Sequence, residues 1–338
     1  CPAGAFDWLT RANLAKIAAT SAPGSATDQW GWRVREFMAC LLQNETIGDI
    51  WVSYILAPIA FGTGLASFDD FVIGGKLIGL RKPDGIAVDG VCTPGGIRHI
   101  LIGDADRKLV ARAMMRSCSE DLAEYFLKHH PRVVQCGVGV PDGAAKAYHA
   151  ITTLLPSFPA GHVPSPGELN NPIVLLSLDA KNAFNCISRQ GMFDALFGTA
   201  SKWYDEGEVA PGSTIDTPAI LRPFLQFLAA HYSRDANLGY TARDTDGRLY
   251  VKGRAGVQQG DPPSSSLFSF GLHPVLVRTL DRFPGVYAVA YCDNVFLVGH
   301  LDHALACADD LVVRLKADLD LDVNLAQSWV HAPAWAHL

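Results

Sequence analysis

The chain lacks most of what would place it in a membrane or in an oxidising compartment. None of its eight cysteines forms a C-x-x-C pair, which leaves no support for a zinc site or a redox motif. Several of them lie in apolar segments, as buried thiols do, and an intracellular, reducing location is the expectation. No secretory signal is visible. The one candidate membrane span, "IWVSYILAPIAFGTGLA" at 50–66, contains Pro58, Gly62 and Gly64. It falls short of the ~20 residues a span needs, so a buried helix followed by a loop, with no membrane partner, is expected there. Positive charge is not in excess: 28 Lys and Arg face 34 Asp and Glu, a net charge of −6. That argues against a nonspecific polycation but leaves room for a local basic groove. There is no internal repeat. The sequence opens at Cys1 rather than Met, and a processed, trimmed or fragmentary chain is expected.

What is present is a globular composition. Of the 338 residues, 49% are hydrophobic and 18% charged, enough for one large or two modest domains. "FDWLTRANLAKIAA" and "WRVREFMACLLQ" carry helical spacing on either side of the loop "TSAPGSATDQW". "FVIGGKLIGLRKPDG" and "GGIRHILIGD" read as a hairpin with a Pro-Asp-Gly turn and a long loop. "ADRKLVARAMMRSCSEDLAEYFLKHH" reads as one long amphipathic helix ending before Pro131. Further on come a helix in "VPDGAAKAYHAITTLL", a Pro/Gly-rich loop, the buried strand "IVLLSLDA", and helices in "ISRQGMFDALF" and "LRPFLQFLAAHYS". A Thr-Asp-Gly hairpin precedes the helix "SSSLFSFGLHPVLVRTL", whose serines can cap it. A strand-turn-strand, a helix and a short strand through "SWVHA" close the chain. The pattern is α+β with few parallel crossovers.

Three stretches carry chemistry. Asp179 ends the apolar run "IVLLSLDA", where a carboxylate is costly unless exposed, paired or bound to metal. Asp293 and Asn294 sit at the bend of "AVAYCDNVFLVG" (288–299). Taken alone, that bend is equally well a plain hairpin turn, since Asp and Asn are favoured there for backbone reasons. If the strand and the hairpin are neighbours, both carboxylates project from one sheet edge. That suits two Mg²⁺ ions about 3.5–4 Å apart in phosphoryl transfer, because hard cations take oxygen ligands. In "GVQQGDPPSSSLFSFGLHPVL" (256–276), Gln258-Gln259-Gly260 lets backbone approach a flat ligand, Gly having no Cβ.

In order along the chain, "LDAKNAFNCISR", "AGVQQGDPPSSSLFSFGLHPVL" and "AYCDNVFLVG" resemble motifs A, B and C of reverse transcriptases, most closely those of non-LTR retroelements. "KLIGLRKPDG" with "GIRHILIGDADRKLVARAM" resembles the fingers motifs of that family, "TSAPGSATDQWGWRVREF" the segment before them, and "CGVGVPDGAAKAYHAI" a stretch common there. The likeness covers about residues 20–332. It implies a reverse-transcriptase-like fold of fingers and palm, with a small antiparallel palm sheet backed by helices. The division would be an N-terminal helical extension (1–70), fingers (71–170) and palm (171–338), with the thumb absent or truncated. It implies RNA-directed DNA polymerase activity, with an RNA template, a DNA primer and dNTP as partners and Mg²⁺ (or Mn²⁺) as cofactor. Asp179 and Asp293 would hold the metals, with the backbone of Ala180 as a further ligand and Asn294 beside them in the catalytic hairpin. Phe184 matches the aromatic that closes against the sugar 2′ position. Gln259 and Gly260 match the pair beside the incoming nucleotide. Arg98, with Lys76 and Arg81, matches fingers residues that meet triphosphate or template.

Two positions depart from that family. Motif C normally reads aromatic-x-Asp-Asp; here it is Tyr291-Cys292-Asp293-Asn294, which keeps a carbonyl ligand and loses a negative charge. "DVNLAQSWV" resembles the "LN-x-x-K" segment with Gln327 in place of the lysine, and Gln cannot donate as a cation. Both losses point to a weakened polymerase or a retired, non-catalytic module acting as scaffold or subunit beside other protein subunits. Polymerases of non-segmented negative-strand RNA viruses, however, carry Gly-Asp-Asn in this hairpin and work. Three other stretches are set aside. Around "CADDLVVRL" (307–315), Leu305, Val312, Leu315 and Leu319 recur at helical spacing, making Asp309 and Asp310 surface charges. "GVGVPDG" lacks the dinucleotide-loop spacing. His129-His130 suits a helix C-terminus.

Overall fold

The computed structural model describes residues 8–28, 30–63, 72–81, 97–157, 163–197, 227, 229–241 and 248–337. The chain forms two compact units, each drawn from two separated stretches: Cys1–Ser117 with Arg222–Ser264, and Cys118–Leu221 with Ser265–Leu338.

The first unit opens with helix α1 (Arg11–Ala19), whose N-cap Thr10 accepts the amide of Asn13. A π-helical turn (Val34–Met38) runs into Ala39–Gln43 as α2. Glu45–Trp51, Val52–Leu56 and Ala57–Phe61 form one continuous helical run, α3. Asn44 caps its start by accepting the Ile47 amide, and Gly62 ends it in a left-handed conformation, as glycine does best. The expected buried helix at 50–66 is therefore helical through Phe61 but one-sided. Leu56, Ile59 and Ala60 are buried, whereas Ile50 and Tyr54 are exposed. Among the described residues no helix is long and apolar enough to cross a membrane. Strands β1 (Gly75–Arg81) and β2 (Ile97–Gly103) pair antiparallel, as the hairpin pattern predicts. β5 (Ala236–Thr241) and β6 (Arg248–Gly253) complete a four-stranded sheet in the order β2-β1-β5-β6, with β1–β5 parallel. Helix α4 (Ala105–Ser117) packs on α1, on the π-helical turn Val34–Met38 and on α3, and its Leu109, Val110 and Ala113 are buried.

The second unit begins where the sequence predicted an unbroken helix. It breaks at Cys118 (φ −118°, ψ 10°), and α5 (Ser119–Lys128) starts afresh with Glu120 and Asp121 in its first turn. Ser117 contributes to the break: its hydroxyl donates to Met114 O at 2.7 Å, a local bond that competes with the helix ladder. β3 (Val133–Gln135), α6 (Gly143–Leu154) and the capping-box helix α7 (Pro166–Asn170) follow. Next come β4 (Ile173–Leu178), α8 (Ala183–Cys186) and α9 (Arg189–Phe197). Helix α10 (Ser264–Arg282) lies in this unit after its first residue, followed by β7 (Tyr287–Tyr291), β8 (Asn294–His300), α11 (Leu301–Leu319) and β9 (Trp329–His331).

These strands form one sheet in the order β3-β7-β8-β4-β9. The expected small antiparallel sheet is there, with one parallel edge pair, β3–β7. α6 packs on β7 and β8, and α11 on β8 and β4. The buried stripe of α11 is Ala304, Cys307, Ala308, Leu311, Leu315 and Leu319. Leu305, expected in that stripe, is 47% exposed, because it lies a full 100° round the helix from Ala304. Asp310 pairs with Arg282 and Arg314, a surface role as expected. The Pro-Asp-Gly turn at 83–85, the Thr-Asp-Gly turn at 245–247, residues 158–162 of the Pro/Gly-rich loop and the start of "LRPFLQFLAAHYS" lie outside the described residues.

Candidate active site

The second unit gathers most of the candidate residues at one end of its sheet. β4 and β8 run antiparallel with Leu178 opposite Val295, so the next rung sets Asp179 across from Asn294. β7 and β8 close with Tyr291 opposite Asn294, leaving Cys292 and Asp293 as a two-residue turn. Two strand ends remote in sequence therefore deliver Asp179, Asp293 and Asn294 to one edge.

The turn is not left to its own preferences. Cys292 has φ +54°, a conformation that costs a non-glycine residue roughly 1–2 kcal/mol. Gln135, 2% exposed at the end of β3, holds it there. The Cys292 amide donates to Gln135 Oε1 at 2.9 Å, and Gln135 Nε2 donates to Cys292 O at 3.2 Å. The same Oε1 accepts the Gly137 amide at 2.9 Å. A Cβ on Gly137 would lie 2.5 Å from the Cys292 amide nitrogen, so only glycine lets this loop approach the turn. Burial raises the Cys292 thiol pKa above the ordinary range.

Asp179 is clasped from the other side by the segment after α11. Ala180 bridges Val323, with Lys181 N donating to Asp322 O at 2.8 Å and Asn324 N donating to Asp179 O at 2.7 Å. Those two bonds use the neighbours' groups, so the Ala180 carbonyl takes no part in the bridge. The Asp179 amide donates to Ser328 Oγ at 3.2 Å, and Asn324 Nδ2 reaches the Asp179 carboxylate at 3.5 Å. Asn324 Nδ2 also donates to Gln327 Oε1. Gln327 is thus one side chain away from Asp179.

Phe184 is half-buried, its ring stacked on Phe268 of α10 with centroids 4.9 Å apart and planes 22° apart. Its turn begins at Asn182, φ +47°, a left-handed position that Asn tolerates. Beside the hairpin, Tyr148, Ile151, Leu175, Tyr291, Phe296 and Trp329 line an apolar cavity of about 470 Å³, with Asn294 on its rim.

Gln259, Gly260 and Arg98 belong to the first unit. Leu101 N donates to Gln259 O at 2.8 Å, tying the loop to β2. Gly260 has φ +109°, and a Cβ there would sit 2.6 Å from Leu101 O. Glycine is therefore required by both conformation and space. Gln259 is half-buried; Gln258 is buried and committed. Gln258 Oε1 accepts from Arg107 at 2.9 Å, and its Nε2 donates to Ile73 O at 3.1 Å. Arg107, fully buried, also donates to Ile73 O at 2.9 Å and pairs with Asp261. Tyr232 donates its hydroxyl to the same Asp261 oxygen at 2.6 Å. The Arg107 guanidinium lies 5.7 Å and 5.5 Å from the ring centroids of Phe227 and Tyr232. Burial and the Asp261 carboxylate push the Tyr232 pKa well above the ordinary range. Arg98 stands exposed on β2, opposite Leu80.

Sequence reasoning did not single out Gln135, Arg107, Asp261, Asn324 or Ser328. A signal existed for two of them. Gln135 is a lone amide within the apolar "VVQC", and Arg107, though flanked by Asp106 and Lys108, shares a helix face with the apolar Val110, Ala111 and Met114.

Among the described residues no group of three or more His, Cys, Asp or Glu side chains is gathered in metal-binding geometry. The sheet edge offers two carboxylates, the Asn294 amide oxygen and the Ala180 carbonyl. This all-oxygen donor set fits a hard divalent cation whose remaining positions are filled by phosphate or water.

No protein-family model and no curated protein matches the chain. Among solved structures, telomerase from Candida albicans in complex with a fragment of telomeric RNA is 11% identical with a TM-score of 0.43, covering 75% of this chain and 45% of that one. Apo telomerase from Candida tropicalis, truncated from its C-terminal domain, is 13% identical with a TM-score of 0.44, covering 84% and 55%. The chain spans about half the length of each. Both scores lie below 0.5, and neither likeness bears on what this chain does.

Proposed function

We propose that the chain is a reverse-transcriptase domain of the non-LTR retroelement type, carrying out RNA-directed DNA synthesis. The observation that carries this reading is the register that brings Asp179, Asp293 and Asn294 to one sheet edge, with Asn324 and Gln327 beside Asp179. Asp179, Asp293 and the Ala180 carbonyl would hold Mg²⁺ or Mn²⁺. When bound, such ions neutralise charge on the transferring phosphoryl group and favour attack of a primer 3′-hydroxyl on the α-phosphate of a dNTP. The chain's own contribution is positioning. Gln135 fixes the turn that presents Asp293, Asn324 and Ser328 fix Asp179, and Phe184, anchored on Phe268, stands against the sugar 2′ position. Gln259, Gly260 and Arg98 serve the nucleotide and template.

A second reading is favoured by Asn294 and Gln327: a retired module of the same fold, acting as scaffold or subunit of a larger assembly with other proteins. Asn294 contributes no charge, and the Gln327 amide is already engaged by Asn324.

Primer extension on an RNA template separates the two. The enzyme reading expects Mg²⁺-dependent dNTP incorporation that Asp179→Ala abolishes; extension by Asp179→Ala at the wild-type rate would refute it. The scaffold reading expects none from wild type, and restored extension by Asn294→Asp would mark a recently lost activity.

A further inference from the structure

The first unit contains a second polar site that the polymerase reading does not use. A small cavity of about 70 Å³ lies between the loop after α1 and the start of α4, lined by Ser25, Asp28, Trp32, Gly103, Lys108 and Arg112 among others. A water needs about 10–15 Å³ on this measure, so the space matches one tetrahedral oxyanion and is too small for a nucleoside.

Its walls are chemically lopsided. Lys108 is largely enclosed, and among the described residues its ammonium has no hydrogen bond or ion pair within reach. Burial, and next the neighbouring Arg112, lower its pKa to about 8. Arg112, four residues on along the same helix face, donates one N–H to Ser21 Oγ at 2.7 Å. It too has no carboxylate partner among the described residues. Two neighbouring cations that make no direct ion pair with a described carboxylate are costly to enclose.

Asp261, Asp28 and Asp104 lie near enough to favour the charged Lys108, but among the described residues none bonds to it; Asp261 is paired with Arg107, and Asp104 accepts the Asp106 and Arg107 amides. Asp28 is 3% exposed and spends both oxygens on backbone amides. Oδ1 accepts from Trp30 at 2.8 Å and Trp32 at 2.9 Å, and Oδ2 from Ala105 at 3.2 Å. It therefore caps α4 and orders the loop. Lys108 and Arg112 are the two cationic side chains lining the cavity, and Asp28, its one carboxylate among the lining residues, is taken up by backbone amides. The Ser25 hydroxyl adds a neutral donor.

We propose that this cavity binds a phosphate group, held by Lys108 and Arg112 from one side and Ser25 from the other. Arg supplies a planar fork and Lys a point charge, the combination that suits phosphate oxygens. The carrier is either a small phosphate or one phosphodiester of a nucleic-acid strand whose bases remain outside. The site is independent of nucleotidyl transfer, since its residues are not those assigned to that chemistry.

Calorimetric titration of the full chain tests it, first with inorganic phosphate, then with an unphosphorylated single-stranded RNA octamer. Lys108→Met and Arg112→Met preserve side-chain length and remove charge. The expected result is binding by wild type in one or both arms, weakened about 10-fold or more by each variant. It comes with an upward shift of the Lys108 ammonium titration when ligand is added. Saturation by phosphate alone identifies a small ligand, and tighter binding of the octamer identifies a strand phosphate; either supports the site. If Arg112→Met fails to fold, Lys108→Met decides, because its ammonium makes no bond to any described residue. No binding in either arm at about 10 mM ligand, or binding that neither variant weakens, overturns the proposal.

Discussion

The two units pin their candidate loops by opposite means. In the first, charge does it: Arg107 and Asp261, both buried, lock the Gln258–Asp261 loop, with Tyr232 donating to the same carboxylate. In the second, a neutral amide does it: Gln135 bonds both backbone groups of Cys292. A buried ion pair is strong against the loss of one partner, because the other is stranded. An amide clamp strands only neutral groups and fails more gently. Protons add a second contrast. Burial raises the Asp104 and Asp106 carboxyl pKa values in the first unit, where it also keeps His231 neutral, and lowers the pKa of His273 in the second, so the two carboxyls and the two histidines answer pH with opposite sign.

The largest effect should come from breaking the charged clamp. Arg107→Met leaves Asp261 buried without its cation and should cost about 3–5 kcal/mol of stability, read from denaturant unfolding. The double variant Arg107→Met with Asp261→Asn should recover part of that loss; no recovery would mean the pair is not the clamp. Gln135→Leu should cost less, about 1–3 kcal/mol. It should loosen the Cys292–Asp293 turn, seen as faster amide exchange at 290–294 with little change at 256–261.

The pH contrast is smaller and more diagnostic. Burial, and next the Asp28 charge among the factors that raise it, lifts the Asp104 carboxyl pKa to about 6. Burial and then Asp104 lift that of Asp106 to about 7, although Trp51 donates to it at 2.8 Å. Both folded values lie above the ordinary 3.8. Their contribution to stability is complete below that value and is lost as pH rises through about 6 and 7. His273 is the reverse. Burial, then His129, whose Nδ1 lies 3.1 Å from His273 Nε2, lower its pKa to about 3. Its contribution is complete above the ordinary 6.5 and is lost as pH falls toward about 3. Each group contributes a slope of up to about 1.4 kcal/mol per pH unit inside its window. Amide exchange between pH 4 and 7.5 should show protection around Asp104 and Asp106 falling with rising pH once intrinsic rates are removed, and protection around His273 rising. Asp106→Asn and His273→Phe should each flatten one trend and leave the other.

The same contrast explains what the sequence revealed. The three hairpin strand pairs, the helix after Pro141 and the "SWVHA" strand were legible, because alternation and turn residues are local signals. So were the residue types at the sheet edge. What was illegible is long-range. Nothing near Gln135 announces that it will meet Cys292, and nothing near Arg107 names Asp261. The helix break at Cys118 was missed because amphipathic spacing runs across it. Leu305 was misassigned because a stripe of leucines was preferred to the actual stripe, which uses Ala304 and Cys307. His129 at a helix end was put down to the dipole. It lies against His273, and burial lowers its pKa, opposite to the dipole's effect.

The account stands or falls on whether Asp179 and Asp293 take a divalent ion together. Mn²⁺ titration followed by electron paramagnetic resonance, with wild type, Asp179→Asn and Asp293→Asn in parallel, addresses this directly. The expected result is saturable Mn²⁺ uptake by wild type in the presence of dNTP, weakened at least about 10-fold by either substitution. Uptake unchanged in both variants, or absent from wild type at millimolar Mn²⁺, would contradict it.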